Sequence, residues 1–253
     1  MLKPHLTRYW LNANPQNPET FKQQSNQICQ LYQQAKELNY HNIHVLSIDE
    51  MTSIQALERV YPTDTVKPHK IEFQEFEYIR HGTLSLIASW DVALGGIYHS
   101  TIAPTRNEDD FKRHIADLIA TNPCDGWIFI TDQLNTHKSE SLVRLVANNC
   151  GIEIDLGIKG KSGILYSMQS RAAFLTALNH RIRFVYTPKH SSWLNQIECW
   201  FSILVRRLLR RGNFTSTGDL KYQILRFIDY FNRTFAKPFV WKFLGYPNPT
   251  STG

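Results

Sequence analysis

Trp127-Ile128-Phe129-Ile130-Thr131 is a short, nearly continuous apolar run that ends on Asp132. That is the pattern of a strand covered on both faces, so the sheet it belongs to needs packing on each side. A second run, Val45-Leu46-Ser47-Ile48, ends on Asp49 in the same way. A third acid, Glu198, follows the turn Thr187-Pro188-Lys189-His190-Ser191-Ser192 and stands in the first turn of an expected amphipathic helix over 196–211. Carboxylates at the ends of buried strands, with another on a helix, are what a divalent-metal site for phosphoryl transfer requires. Hard cations such as Mg²⁺ take oxygen ligands, and their charge offsets the cost of crowding acids together. Each acid also has a bland reading. Asp132 could cap the turn before Leu134, and Glu198 could be a first-turn acid favoured by the helix dipole.

The remaining pattern supplies an element order. Apolar positions Phe21, Ile28, Leu31, Tyr32, Ala35 and Leu38 recur at helical spacing between Pro18 and Tyr40, giving a helix with a Gln-rich outer face and a narrow apolar face that must dock on the main domain or on a partner. Strands are expected at 43–48, 83–90 and 96–102, the last two joined through Asp91-Val92-Ala93-Leu94-Gly95 as an antiparallel hairpin. A helix follows at 107–120, with Glu108, Asp109 and Asp110 in its first turn. Then come the strand 127–131, a helix at 139–149, a strand at 183–186, and helices at 196–211 and 217–231. This order predicts an α/β, ribonuclease H-like mixed sheet flanked by helices, with an insertion before the last catalytic helix. The crossover rules place the first and fourth strands side by side, which brings Asp49 and Asp132 together. Glu50 points to the opposite face of its strand and is not expected to be a ligand.

A chain of 253 residues is expected to form one main domain rather than two. The reading divides it into 1–40 as an N-terminal linker and docking helix, 41–245 as the catalytic domain with an insertion about 150–180, and 246–253 as a disordered tail. No apolar run approaches the roughly 20 residues of a membrane span. Met1–Arg8 carries no apolar signal core. The four cysteines show no CxxC spacing, and a reduced, cytoplasmic protein is expected. Gly157-Ile158-Lys159-Gly160-Lys161-Ser162 resembles a phosphate-binding loop, but that motif needs Gly where Asp155 stands, and a flexible basic loop is expected instead.

The net charge of +6 suggests an anionic partner. Arg206, Arg207, Arg210 and Arg211 cluster behind Glu198 on its expected helix. Proximity to the acids favours phosphate contact over a merely solvated face. Lys189 and the inserted Lys159 and Lys161 extend the basic set, and His137, Lys138, His190, Trp193 and Asn195 complete the candidate DNA contacts. Trp193 could pack on the core or stack on a base, and Asn195 stands where its side chain could cap the helix that carries Glu198.

Together, Asp49–Arg59, Arg80-His81-Gly82-Thr83, Asp132–Lys138, Thr187–Phe201 and Asn232-Arg233-Thr234 resemble the DDE transposases of bacterial insertion sequences, within the mariner superfamily branch called IS-six-thirty. The resemblance covers residues 41–245. It implies a ribonuclease H-like core, two Mg²⁺ or Mn²⁺ ions held by Asp49, Asp132 and Glu198, and cut-and-paste action on double-stranded DNA at transposon ends and target. The resemblance also implies a nucleoid-associated protein, a homodimer on DNA, and no membrane. Three departures stand out. Gln133 occupies the place where the family has Asn. The interval between Asp132 and Glu198 is longer than the family's. Only residues 1–40 precede the first catalytic strand, so helix-turn-helix recognition could come from a separate polypeptide. A domesticated, catalytically inactive DNA-binding protein and a ribonuclease H-like nuclease with another nucleic-acid substrate are the competing readings.

Overall fold

The apolar runs pair into one five-stranded sheet. In the computed structural model, which describes residues 17–61 and 77–247, the strands are β1 (Ile43–Arg59), β2 (Tyr78–Asp91), β3 (Ile97–Ala103), β4 (Gly126–Thr131) and β5 (Ile182–Tyr186), in the spatial order β3-β2-β1-β4-β5. β1 pairs antiparallel with β2, and β2 with β3, whereas β1–β4 and β4–β5 are parallel. The expected hairpin is present. Asp91 Oδ1 accepts from the Ala93 and Leu94 amides, and Gly95, at φ +80°, abuts the Lys237 backbone so closely that a Cβ would collide with it.

Both faces of the sheet are covered, as the apolar run at β4 required. Val45, Ala88, Trp90, Ile128, Ile130 and Val185 face a core shared with helices α1 (Pro18–Tyr40), α5 (Ile197–Leu204) and α6 (Thr217–Thr234). Leu46, Ile48, Ile87, Trp127, Phe129 and Phe184 face the opposite core, built on α2 (Glu108–Thr121), α3 (Glu140–Cys150) and α4 (Met168–Leu175). The period-2 alternation of strand side chains divides neighbours such as Val45 and Leu46 between the two cores.

Several expectations need correction. β1 runs on to Arg59 instead of ending at Ile48, with irregular pairing after Met51 and Ser53 at φ +56°. The helix expected over 196–211 is α-helical only to Leu204. A π turn over Val205–Leu209 follows, and it packs both Leu208 and Leu209 against the first core. Residues 157–162 are not a loose loop: Ile158 donates to Ser162 O at 3.2 Å and Leu165 to Leu156 O at 3.0 Å, and Leu165 is fully buried. Arg171, within the expected insertion, is buried and donates to the Lys138 and Leu165 carbonyls. Of the expected disordered tail, Tyr246 is held by the Asn26 side chain at 2.7 Å, while residues 248–253, like the lead-in 1–16, lie outside the described residues.

Helix α1 docks on the domain itself. Ile28, Cys29, Leu31, Tyr32 and Ala35 are buried in the first core. Tyr32 Oη donates to Leu194 O at 2.5 Å and lies 3.4 Å from the Gln196 amide, so α1 is tied to the turn that launches α5. Tyr32→Phe removes that donor and leaves a buried carbonyl unpaired, at an expected cost of about 1–2 kcal/mol. A urea midpoint that falls with an unchanged m-value checks this.

Candidate active site

The parallel register sets the site. Ser47 pairs with Ile130 across β1 and β4. Asp49 lies two residues further along β1, and Asp132 follows directly on the end of β4. Alternation places Asp49 on the α5 side, where Glu198 occupies the first turn of α5, while Asp132 stands in the loop just past β4. Asp49 is buried and Glu198 half-buried.

Asp49 is held by two donors. Oδ1 accepts from the Glu50 amide at 2.8 Å and Oδ2 from Asn195 Nδ2 at 3.2 Å. Burial raises the Asp49 carboxyl to about 7, the Glu50 amide opposes that rise, and the negative charges of Asp132, Glu198 and Glu50 add to it. Glu198 is raised as well, by burial first and then by Asp132. The acids therefore repel one another across the site.

Asp132 behaves differently. Burial would raise it, but His137 and the Leu134 amide outweigh that and hold it below its ordinary value. His137 is fully buried. Its Nδ1 lies 2.7 Å from Asp132 Oδ1 and its Nε2 3.1 Å from Glu50 Oε1, and its ring packs on Phe111 at 4.1 Å. Burial would lower this imidazole, but the hydrogen bonds to Asp132 and Glu50 raise it to about 9, so it is an imidazolium at neutral pH. Glu50 does point away from Asp49, as alternation requires, yet it reaches the site through His137. The sequence reading missed this because the 134–138 turn folds back over the strand end.

Asn195 does not cap α5. Its Nδ2 donates to Ile48 O at 3.0 Å as well as to Asp49, and its Oδ1 accepts from Ser47 Oγ. Ser47 Oγ in turn accepts from the Ile197 amide at 2.9 Å, doing for the helix start what Asn195 was expected to do. Ser47 was legible as the one polar residue in an apolar strand run.

Burial removes two residues from the candidate DNA contacts. His137 is fully enclosed and Asn195 is 1% exposed, so neither offers a surface to phosphate. Lys138 is engaged internally, with Nζ 3.2 Å from Gln133 Oε1 and 4.7 Å from the Tyr186 ring centroid. Gln133 Nε2 also donates to Thr187 O at 3.0 Å, joining the loops beyond β4 and β5. Trp193 is 42% exposed and meets Phe243 edge-on at 5.2 Å. Lys159, Lys161, Lys189, His190, Arg206, Arg207, Arg210 and Arg211 are exposed.

The donor set of three carboxylates suits a hard divalent cation. In the present arrangement no three His, Cys, Asp or Glu side chains among the described residues are gathered closely enough to hold a metal ion. Asp132 Oδ1 is turned instead onto His137 and the Leu134 amide.

This architecture defines a ribonuclease H-like domain with a carboxylate site on one side of the sheet. The sequence matches the DDE superfamily endonuclease family over residues 44–221, and the chain belongs to that family. Among solved structures, it resembles a pre-cleavage Mos1 transpososome at 12% identity and TM-score 0.52, covering 88% of this chain and 59% of that one. It also resembles a Mos1 mariner paired end complex with Mn at 14% identity and TM-score 0.51, again covering 88% and 59%. The chain thus spans somewhat over half the length of these solved chains. No curated protein gives a match. Among the described residues, no helix is long and apolar enough to cross a membrane.

Two outcomes test the geometry. Asn195→Ala strips three hydrogen bonds from a buried cluster and is expected to cost roughly 1–3 kcal/mol and to loosen Asp49. Urea denaturation, with activity measured in parallel, checks both effects. Because the folded Asp49 carboxyl titrates near 7 against an ordinary 3.8, the native state binds more protons than the unfolded chain between those values. Stability of the metal-free protein is therefore lost as pH rises from about 4 to about 7. The loss is on the order of 2–4 kcal/mol. Asp49→Asn is expected to flatten this slope in pH-dependent melting and to be more stable than the parent at pH 8.

Proposed function

We propose that the chain is the catalytic domain of a transposase, cutting DNA strands at the ends of a mobile element and joining the freed 3′-hydroxyls to target DNA. The observation that carries this reading is the convergence of Asp49, Asp132 and Glu198. Asp49 lies in β1, Asp132 just past the end of the adjacent β4 and Glu198 at the start of α5, in a chain of the DDE endonuclease family. Asp49, Asp132 and Glu198 would hold two divalent cations, Mg²⁺ or Mn²⁺. Such ions, when bound, activate the attacking oxygen, stabilise the leaving oxygen and neutralise phosphate charge.

The protein's own contribution is positional. Asp49 stands on the central strand and is oriented by Asn195 and the Glu50 amide. Asp132 is oriented by the buried His137, itself held by Glu50. Glu198 rides on α5, whose start is fixed by Ser47 and whose preceding turn is fixed by Tyr32. Exposed Lys189, Lys159, Lys161 and the Arg206–Arg211 group would contact phosphates, which position a duplex without reading its bases. Double-stranded DNA is the partner this surface fits, with assembly as a homodimer across two ends. Sequence reading would come from residues outside this domain or from a separate helix-turn-helix polypeptide.

Asp49→Asn, Asp132→Asn and Glu198→Gln are each expected to abolish Mg²⁺-dependent nicking of a duplex carrying the element's terminal sequence while leaving duplex binding within a few-fold. The amide keeps the shape but loses the charge that binds the cation. Clear Mg²⁺-dependent nicking by the Asp132→Asn protein would refute the assignment.

A further inference from the structure

One surface feature is not used by the acid site. Beyond Glu198, the exposed positions Cys199, Ser202 and Arg206 continue along α5 into the π turn. There a cavity of about 560 Å³ opens between the π turn, the end of α6 and the segment after it. Its floor is aromatic, from Phe231, Phe235 and Phe239, and its rim is cationic, from Arg206, Arg207 and Lys237. The floor is rigidly backed. Phe239 stacks on the buried Trp90 at 4.3 Å, and Trp90 Nε1 donates to Gln196, two residues before Glu198. Phe235 is 37% exposed, and the Arg207 guanidinium lies over its ring at 4.8 Å.

The rim carries uncompensated charge. Among the described residues none of Arg206, Arg207 or Lys237 is paired with a carboxylate. Cations gathered around an apolar aromatic floor fit a ligand with a flat ring and an anionic group attached. An unpaired nucleotide has that composition, since stacking on aromatic rings combined with basic contacts to the backbone is how single strands are bound. The volume falls within the roughly 300–1,000 Å³ of small-ligand sites. Arg206 lies about 12 Å along the helix axis from Glu198, at about 1.5 Å per residue. That is within reach of a strand whose scissile phosphate sits at the acids.

Resting on the transposase reading, we infer that this cavity binds one unpaired nucleotide of a DNA strand leading away from the acid site, with its base on Phe235 and Phe239 and its phosphate at the Arg206, Arg207 and Lys237 rim. The test uses the full chain in EDTA with fluorescent duplexes of one sequence: blunt, with a five-nucleotide single-stranded extension of either polarity, and with the same extension made abasic. One polarity of extension is expected to tighten binding roughly tenfold, and the abasic version to lose that gain. Phe235→Leu keeps apolar volume but removes the ring, so it should bind the blunt duplex as the parent does and lose the gain. Arg206→Gln, on the exposed rim, should lose part of it. Melting curves identify any variant that is not folded.

Equal affinity for blunt and extended duplexes, or a Phe235→Leu protein that keeps the whole gain, would overturn the inference. So would a gain absent in the parent together with self-association that Arg207→Glu abolishes, because a second copy of the chain would then be the occupant. Binding of the blunt duplex without a gain overturns this inference alone. A chain that binds no duplex overturns the transposase reading along with it.

Discussion

Parallel pairing of β1 with β4 cannot be made by a tight turn and requires a crossover. Here the crossover carries β2, β3 and α2 before the chain returns as β4. Its consequence is that two carboxylates far apart in sequence come near one another: Asp49 lies in β1 two residues past the Ser47–Ile130 pair, and Asp132 directly follows the end of β4. Asp49 could not be moved along β1 by one residue without being turned into the opposite core, because strand side chains alternate strictly. The apolar neighbours therefore enforce the placement. Ile48 and Phe129 belong to one core and Val45 and Ile130 to the other, so a slip of either strand would expose both sets.

What the sheet brings together, electrostatics pushes apart. Asp49 and Glu198 are both raised by burial and by neighbouring negative charge, whereas Asp132 is lowered through His137. One imidazolium is thus placed between two acids, Asp132 and Glu50, and partly neutralises a region that would otherwise hold four carboxylates. Local charge balance is confined to that corner, and the pair of Asp49 and Glu198 is left with no cationic partner among the described residues. Asp49 and Glu198 are oxygen donors, the ligand type that hard divalent ions take.

The parts of this arrangement that could be read from sequence share one property. Each was specified by residues adjacent in the chain. The run 127–131 announced a doubly covered strand. The parts that could not be read depend on tertiary partners. Asn195, three residues before Glu198, carries the local signature of a helix cap, but Ile48 O, Asp49 and Ser47 compete for its side chain and win. Glu50 stands on the expected face, but its contact with His137 could not be read, because nothing local to β1 indicates that the 134–138 turn brings His137 to it. The end of β1 was missed for another reason: from Thr52 onward polar residues dominate, with only Ile54 and Ala56 buried and the pairing with β2 irregular.

The same distinction explains how α1 belongs to the site although it contributes no acid. Its sequence showed only a narrow apolar face and a Gln-rich exterior, compatible with docking anywhere. In the structure that face covers the β1 side of the sheet, and Tyr32 reaches the carbonyl of Leu194 and the amide of Gln196. The turn before Glu198 is thereby clamped between two elements: α1 through Tyr32, and β1 through Ser47 and Asn195. Of the three acids Glu198 is the only one on a helix, and a helix start has free amides that need partners. Ser47 meets one of them from the strand that also carries Asp49. The position of the third acid is therefore referenced directly to the first, through one hydroxyl and one amide, rather than through the long segment between β4 and α5. That coupling lets the segment from Cys150 to His180 hold a packed helix of its own without altering the spacing at the site.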